Sequence, residues 1–163
     1  GAYWEDIALT RKLQGTVLQS FDAFLLIRGM RTLFLRVERA TENALQFANH
    51  FNGHKLIERV LYPGLLNHPE HKVQKVQTEG LYGGMMSIIV KGNEQTAIDV
   101  TRLCNVFYPA TSLGGVESLI EHRATVSGPD FPVHPNLLRL SIGIEDASDL
   151  IEDLEQALER ANS

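Results

Sequence analysis

The sequence predicts an α/β fold with α+β character: a mixed or antiparallel sheet of about four strands, helices mainly on one face, and a long helix in front. Three observations predict it. The run from Ala23 to Phe51 is nearly free of helix breakers. The segments 85–90 and 137–144 are short and apolar, with the length or alternation of strands. Residues 147–161 carry the clearest helical period in the chain.

Residues 4–18 read as an amphipathic helix with Trp4, Ile7, Ala8, Leu13 and Val17 along one stripe. The pattern restarts at Ser20, where Ser20 or Asp22 can cap a second helix. Leu33, Val37, Ala40, Ala44, Phe47, Ala48 and Phe51 then recur at the three-to-four spacing of a core-facing stripe, and Gly53 ends it. Gly29 inside this run costs about 1 kcal/mol relative to Ala, so a break or kink is expected there. Residues 56–62 read as a strand before Pro63-Gly64, and 64–80 as a loop that turns helical. A strand over Met85 to Val90 is bounded by glycines, and a helix over 93–105 is capped by Asn93. Val106 to Ala110 and Val116 to Ile120 read as short extended pieces around Gly114-Gly115. In 137–144, Leu138, Leu140, Ile142 and Ile144 point one way. Leu137, Arg139, Ser141 and Gly143 point the other. Asp146 caps the last helix, with Asp149 as the second member of a capping-box-like pair.

Composition narrows the function. The chain has 163 residues, 15 Lys+Arg against 20 Asp+Glu, and a net charge of −5. Its 44% hydrophobic and 21% charged residues suit a packed core. The acidic balance argues against nucleic acid or an anionic membrane surface as partner. No apolar stretch is long enough to span a bilayer. No signal peptide is visible, and Cys104 is the only cysteine, which fits a reducing, cytoplasmic compartment. The chain opens on Gly1-Ala2-Tyr3-Trp4 without Met, so a cut or missing start is expected.

Four features could carry chemistry. His68 and His71 are three residues apart, but Pro69 disfavours a regular helix through His68, so turn and cap roles are expected rather than a metal. Cys104 has no activating base in view and reads as a small buried hydrophobe. Ser112-Leu113-Gly114-Gly115-Val116-Glu117-Ser118 can form a tight turn whose amides hold an anion. It lacks the Lys-Ser/Thr of a phosphate-binding P-loop and the Gly-x-Ser-x-Gly frame of a nucleophile elbow. Arg139 is the second anion candidate. It is either a solvated edge residue or a fork for a carboxylate, with Ser141 and Gly143 leaving room beside it.

These residues, taken together, resemble a family. Arg28-Gly29-Met30-Arg31-Thr32-Leu33, Tyr62-Pro63-Gly64-Leu65 with His68, Pro69 and His71, the Ser112–Ser118 segment, and Arg139-Leu140-Ser141-Ile142-Gly143-Ile144-Glu145-Asp146 follow one another along the chain. They are similar, in order and spacing, to the Cys/Met-metabolism family of pyridoxal-phosphate enzymes. That family includes cystathionine γ-synthase, cystathionine β- and γ-lyases, methionine γ-lyase and homoserine sulfhydrylases. The resemblance implies the C-terminal domain of a fold-type-I enzyme. Residues 1–20 would be the helical tail of the large cofactor domain, 21–53 the connecting helix, and 54–163 the substrate-clamp domain. It implies that Arg139 grips the substrate α-carboxylate, assisted by Ser112 and the Leu113 amide. Thr111 would stand near the substrate side chain, where some γ-lyases carry an acidic residue.

The resemblance further implies pyridoxal 5'-phosphate as cofactor, held through a lysine in an upstream segment. Lys12, Lys55, Lys72, Lys75 and Lys91 all lack the Ser/Thr-preceded context of that lysine. No catalytic, cofactor-binding or metal-ligating residue is therefore assigned within this chain, which is expected to be inactive without a cofactor domain. The implied reactions of sulfur amino-acid metabolism are γ-replacement on acylated homoserine or cystathionine cleavage, in a homo-oligomer. The rival expectation is a stand-alone, non-catalytic binding or assembly module with the same fold.

Overall fold

The computed structural model describes residues 1–128 and 131–163. They form two compact units, Gly1–Phe34 and Leu35–Ser163. The first contains α1 (Ala2–Gln14) and α2 (Ser20–Met30). α1 ends earlier than its period suggests because Gly15 takes the left-handed conformation, φ 66°, and returns its N–H to Arg11 O. Val17 therefore lies beyond the helix it was expected to extend. α2 buries no residue. It ends at Met30, with Gly29 still inside it, and helical structure resumes at Leu33.

The long helix in front of the sheet is α3 (Leu33–Phe51). In the second unit, β1 (Ile57–Leu61), β2 (Met85–Val90), β3 (Tyr108–Pro109), β4 (Leu119–His122) and β5 (Leu137–Ser141) lie in the order β1-β2-β5-β4-β3. Every pairing is antiparallel except β3 with β4. The sheet is thus mixed, with five strands rather than about four, because the extended piece expected over 106–110 contributes the two-residue edge strand β3. α4 (His71–Gln77), α5 (Glu94–Leu103), α6 (Arg123–Ser127) and α7 (Ala147–Ala161) complete the unit.

Caps fix the helix starts. Asn93 accepts the Thr96 amide at 2.9 Å while its own N–H reaches Thr96 Oγ1, a full capping box on α5. Asp146 caps α7 through the Ser148 amide (2.9 Å) and hydroxyl (2.6 Å), not through the expected Asp149. Those bonds to Ser148 hold the Asp146 carboxyl below its ordinary range. α6 has no strong period and is missed by sequence patterning. His122 starts it by accepting the Thr125 amide.

One sheet face makes the core. Met86, Ile88 and Val90 of β2, Leu138 and Leu140 of β5, and Ile120 of β4 share that face by register. They are buried together with Phe47 and Phe51 of α3, Val100 of α5, and Leu150, Leu154 and Leu158 of α7. Each such side chain contributes about 1.5–3 kcal/mol on burial. Strand character ends at Ser141, so Ile142 is buried but Ile144, expected on the same face, is 36% exposed. The opposite face carries the polar residues. Its central row, read across β2, β5 and β4, is Ser87, Arg139, Glu121.

Candidate functional site

Alternation along β5 puts Arg139 and Ser141 on the non-core face, two residues apart. The Ser112–Ser118 segment crosses that face and is tied to the end of β5 by a dense set of bonds. The Gly114 amide donates to Ser141 Oγ at 2.9 Å. The Ser118 amide and hydroxyl donate to the two oxygens of Glu145, at 2.6 and 2.8 Å. Gly143 N donates to Ser118 Oγ at 2.8 Å, and Ile144 N to Val116 O at 2.9 Å. From α3, Asn43 Nδ2 reaches the carbonyls of Gly143 (3.1 Å) and Glu145 (2.7 Å). The two motifs that looked separate in sequence are therefore one construction.

Glycines make the close approach possible. Gly114 has φ +74°, which side chains rarely adopt. A Cβ at Gly143 would overlap the Val116 carbonyl oxygen. A Cβ at Gly84 would stand 2.7 Å from Ile142 O, where the backbones of Gly84 and Ile142 are paired. Tyr62, fully buried, holds this second glycine turn by donating its hydroxyl to Gly83 O at 2.8 Å. Between the two glycine turns lies a cavity of about 180 Å³, whose lining includes Arg36, Ala40, Gly84, Gly115 and Ser141.

Arg139 faces the bend, and it is more engaged than its small neighbours suggested. Its Nη2 donates to Thr111 O and, at 3.5 Å, to Ser112 O. Its Nε pairs with Glu121 Oε1 at 2.7 Å. Nη1 makes no hydrogen bond among the described residues. The structure thus gathers Arg139, Thr111 and Ser112 at one place, with Leu113 exposed next in the bend. A second cavity, about 250 Å³, lies on the Glu121 side, with Thr111, Ala110, Thr125 and Thr101 in its wall. A guanidinium with one nitrogen unspent, beside a turn with exposed backbone, can bind a carboxylate.

Glu121, Arg123 and Glu145 escaped the sequence reading. Glu121 is 5% exposed, and its Oε1 also takes Arg123 Nη1 at 3.0 Å. The signal was present: a lone acid inside the apolar run Leu119-Ile120-Glu121-His122 needs a cationic partner if buried.

The other candidates resolve into structure. His68 Nδ1 accepts the Glu70 amide at 3.2 Å, and His71 Nδ1 lies 2.8 Å from Pro63 O. Among the described residues no group of three or more His, Cys, Asp or Glu is placed to hold a metal. Cys104 ends α5, and burial, then the Asp153 charge, push its thiol up to about 12. All five lysines are exposed, and none lines either of these two cavities, whose walls do not include Arg139 itself.

Residues 2–159 match the family model described as Cys/Met metabolism PLP-dependent enzyme. Cystathionine gamma-synthase of Mycobacterium bovis is 44% identical over 159 residues, 94% of this chain and 41% of that protein. The solved structure of cystathionine gamma-lyase from yeast superposes with TM-score 0.86 at 36% identity, over 98% of this chain and 43% of that one. Cystathionine gamma synthase from Xanthomonas oryzae pv. oryzae, solved with aminoacrylate and cysteine, gives 0.81 at 41% identity, over 87% and 38%. The chain therefore spans about two fifths of the length of its curated relatives, corresponding to the C-terminal portion of fold-type-I enzymes, and it belongs to the Cys/Met metabolism family of PLP-dependent enzymes.

Proposed function

We propose that this chain is the substrate-carboxylate-binding domain of a pyridoxal-phosphate-dependent transsulfuration enzyme. The single observation that carries the reading is the convergence of Arg139 with the Ser112–Gly115 bend on the non-core sheet face. Arg139 holds the α-carboxylate through its free Nη1 edge. Ser112 and the Leu113 amide stand beside it as further donors, and Thr111 lies next to the substrate side chain. Fixing the carboxylate orients the amino acid's bonds before reaction, which is a positioning contribution rather than a chemical one.

The residues here do not fit the cofactor itself. No lysine borders the site, so no step of the chemistry is derived through pyridoxal phosphate within this chain. That chemistry belongs to a cofactor domain, which is the partner this reading requires. Homo-oligomers and a cytoplasmic location accompany it as part of the family reading, and among the described residues no helix is long and apolar enough to cross a membrane.

The reaction we favour is γ-replacement on an acylated homoserine, in keeping with the 44% identical synthase. Steady-state assays of the complete enzyme test it. Turnover of acylated homoserine with cysteine or sulfide is expected. Cleavage of cystathionine with no such turnover would reassign the enzyme as a lyase, and no activity on either would overturn the reading.

A further inference from the structure

Glu121 is a buried carboxylate for which the carboxylate-binding role just described has no use. It stands directly across from Arg139 in the β4–β5 register and takes that residue's Nε at 2.7 Å. Only 4% of its side chain is exposed, against 23% for Arg139 and 34% for Arg123. Both arginines share the single oxygen Oε1, while Oε2 is buried with no partner among the described residues. A buried acid is retained only when cations compensate it. Here two cations share one anion, so one positive charge is left unmatched.

We propose that Glu121 is the positioning residue of Arg139: it grips the guanidinium by its Nε edge so that the unspent Nη1 meets the substrate carboxylate, while Arg123 offsets the Glu121 charge. The proposal rests on the carboxylate-binding reading and extends it. Three acceptors already fix the guanidinium plane: Glu121 Oε1, Thr111 O and Ser112 O. An arginine held in this way gives up little further side-chain freedom when a ligand docks. The net positive charge also means that Glu121 does not repel an incoming carboxylate as a lone acid would. Glu121 is not a catalytic residue, since it acts through Arg139.

A double-mutant cycle in the complete pyridoxal-phosphate-loaded enzyme tests this. Arg139→Lys, Glu121→Ala and the pair are compared by KM and kcat for the amino-acid substrate. Glu121→Ala is expected to raise KM about 10-fold with kcat within about 3-fold. In the Arg139→Lys background it should raise KM no further, because its effect passes through the guanidinium fork. An unchanged KM for Glu121→Ala, or fully additive effects, would overturn the positioning role. If Arg139→Lys itself leaves KM unchanged, the carboxylate-binding reading fails first and the proposal falls with it. Glu121→Gln preserves volume in case the alanine variant does not fold. In the 163-residue chain it should move the Arg139 Nε–H resonance and speed its exchange with water. A resonance identical to that of the parent chain would contradict the grip.

Discussion

Arg139 shows how one residue acquires a role from its surroundings. On a strand facing solvent it would be a mobile cation worth little. Here the strand register sets a buried acid on one side, and the Ser112 bend supplies carbonyls on the other. Cys104 shows the converse. Burial and the nearby Asp153 charge raise its thiol to about 12. At pH 8 only about one thiol in 10⁴ is then the reactive thiolate. An aromatic disulfide reagent should therefore label the folded chain slowly, and fully only after unfolding. Rapid stoichiometric labelling of the native protein would show an activated cysteine instead. Reading Cys104 as inert required only its helical apolar neighbours. The engagement of Arg139 depends on Glu121, which is distant in sequence and reaches it through a pairing that no local pattern encodes.

At the scale of elements, α7 does more than cover the sheet. Its Asp153 is 5% exposed and accepts the amides of Asn105 (2.7 Å), Val106 (2.8 Å) and Phe107 (3.0 Å). It thereby fixes the segment that enters β3 after α5. Asp153→Ala would leave three backbone donors without this acceptor, at a cost of about 3 kcal/mol. For a chain of this size that lowers Tm by about 10 °C, which calorimetry can check. A change below about 2 °C would show that water satisfies these amides equally well. The elements legible in the sequence were those with a strong period: α3 and α7 with their apolar stripes, and β2 and β5 with length or alternation. α6 was not legible because its start depends on His122, whose ring also lies 2.6 Å from Pro135 O. β3 was legible only as the extended piece 106–110, of which Tyr108–Pro109 alone pairs in the sheet, in parallel with β4. The ends of α1 and β5 were misjudged where a left-handed glycine and the docking of Gly143 overrode apolar spacing.

At the scale of the whole molecule, the sheet separates two tasks. One face is spent on a core shared with α3, α5 and α7. The other holds a polar row and a glycine-built turn. The motif resemblance was legible because four ordered segments coincide. The division of labour within the site was not, because it arises from packing at Gly84, Gly114 and Gly143 and from the buried pair of Glu121 with Arg139. The central claim is that this second face receives an amino acid's acid group. A crystal structure of the complete enzyme with a bound amino-acid substrate or product tests it most directly. The account predicts a ligand carboxylate oxygen about 3 Å from an Arg139 Nη atom, with Nε still on Glu121. A ligand carboxylate bound elsewhere, with Arg139 still confined to Glu121 and the Thr111 carbonyl, would contradict it.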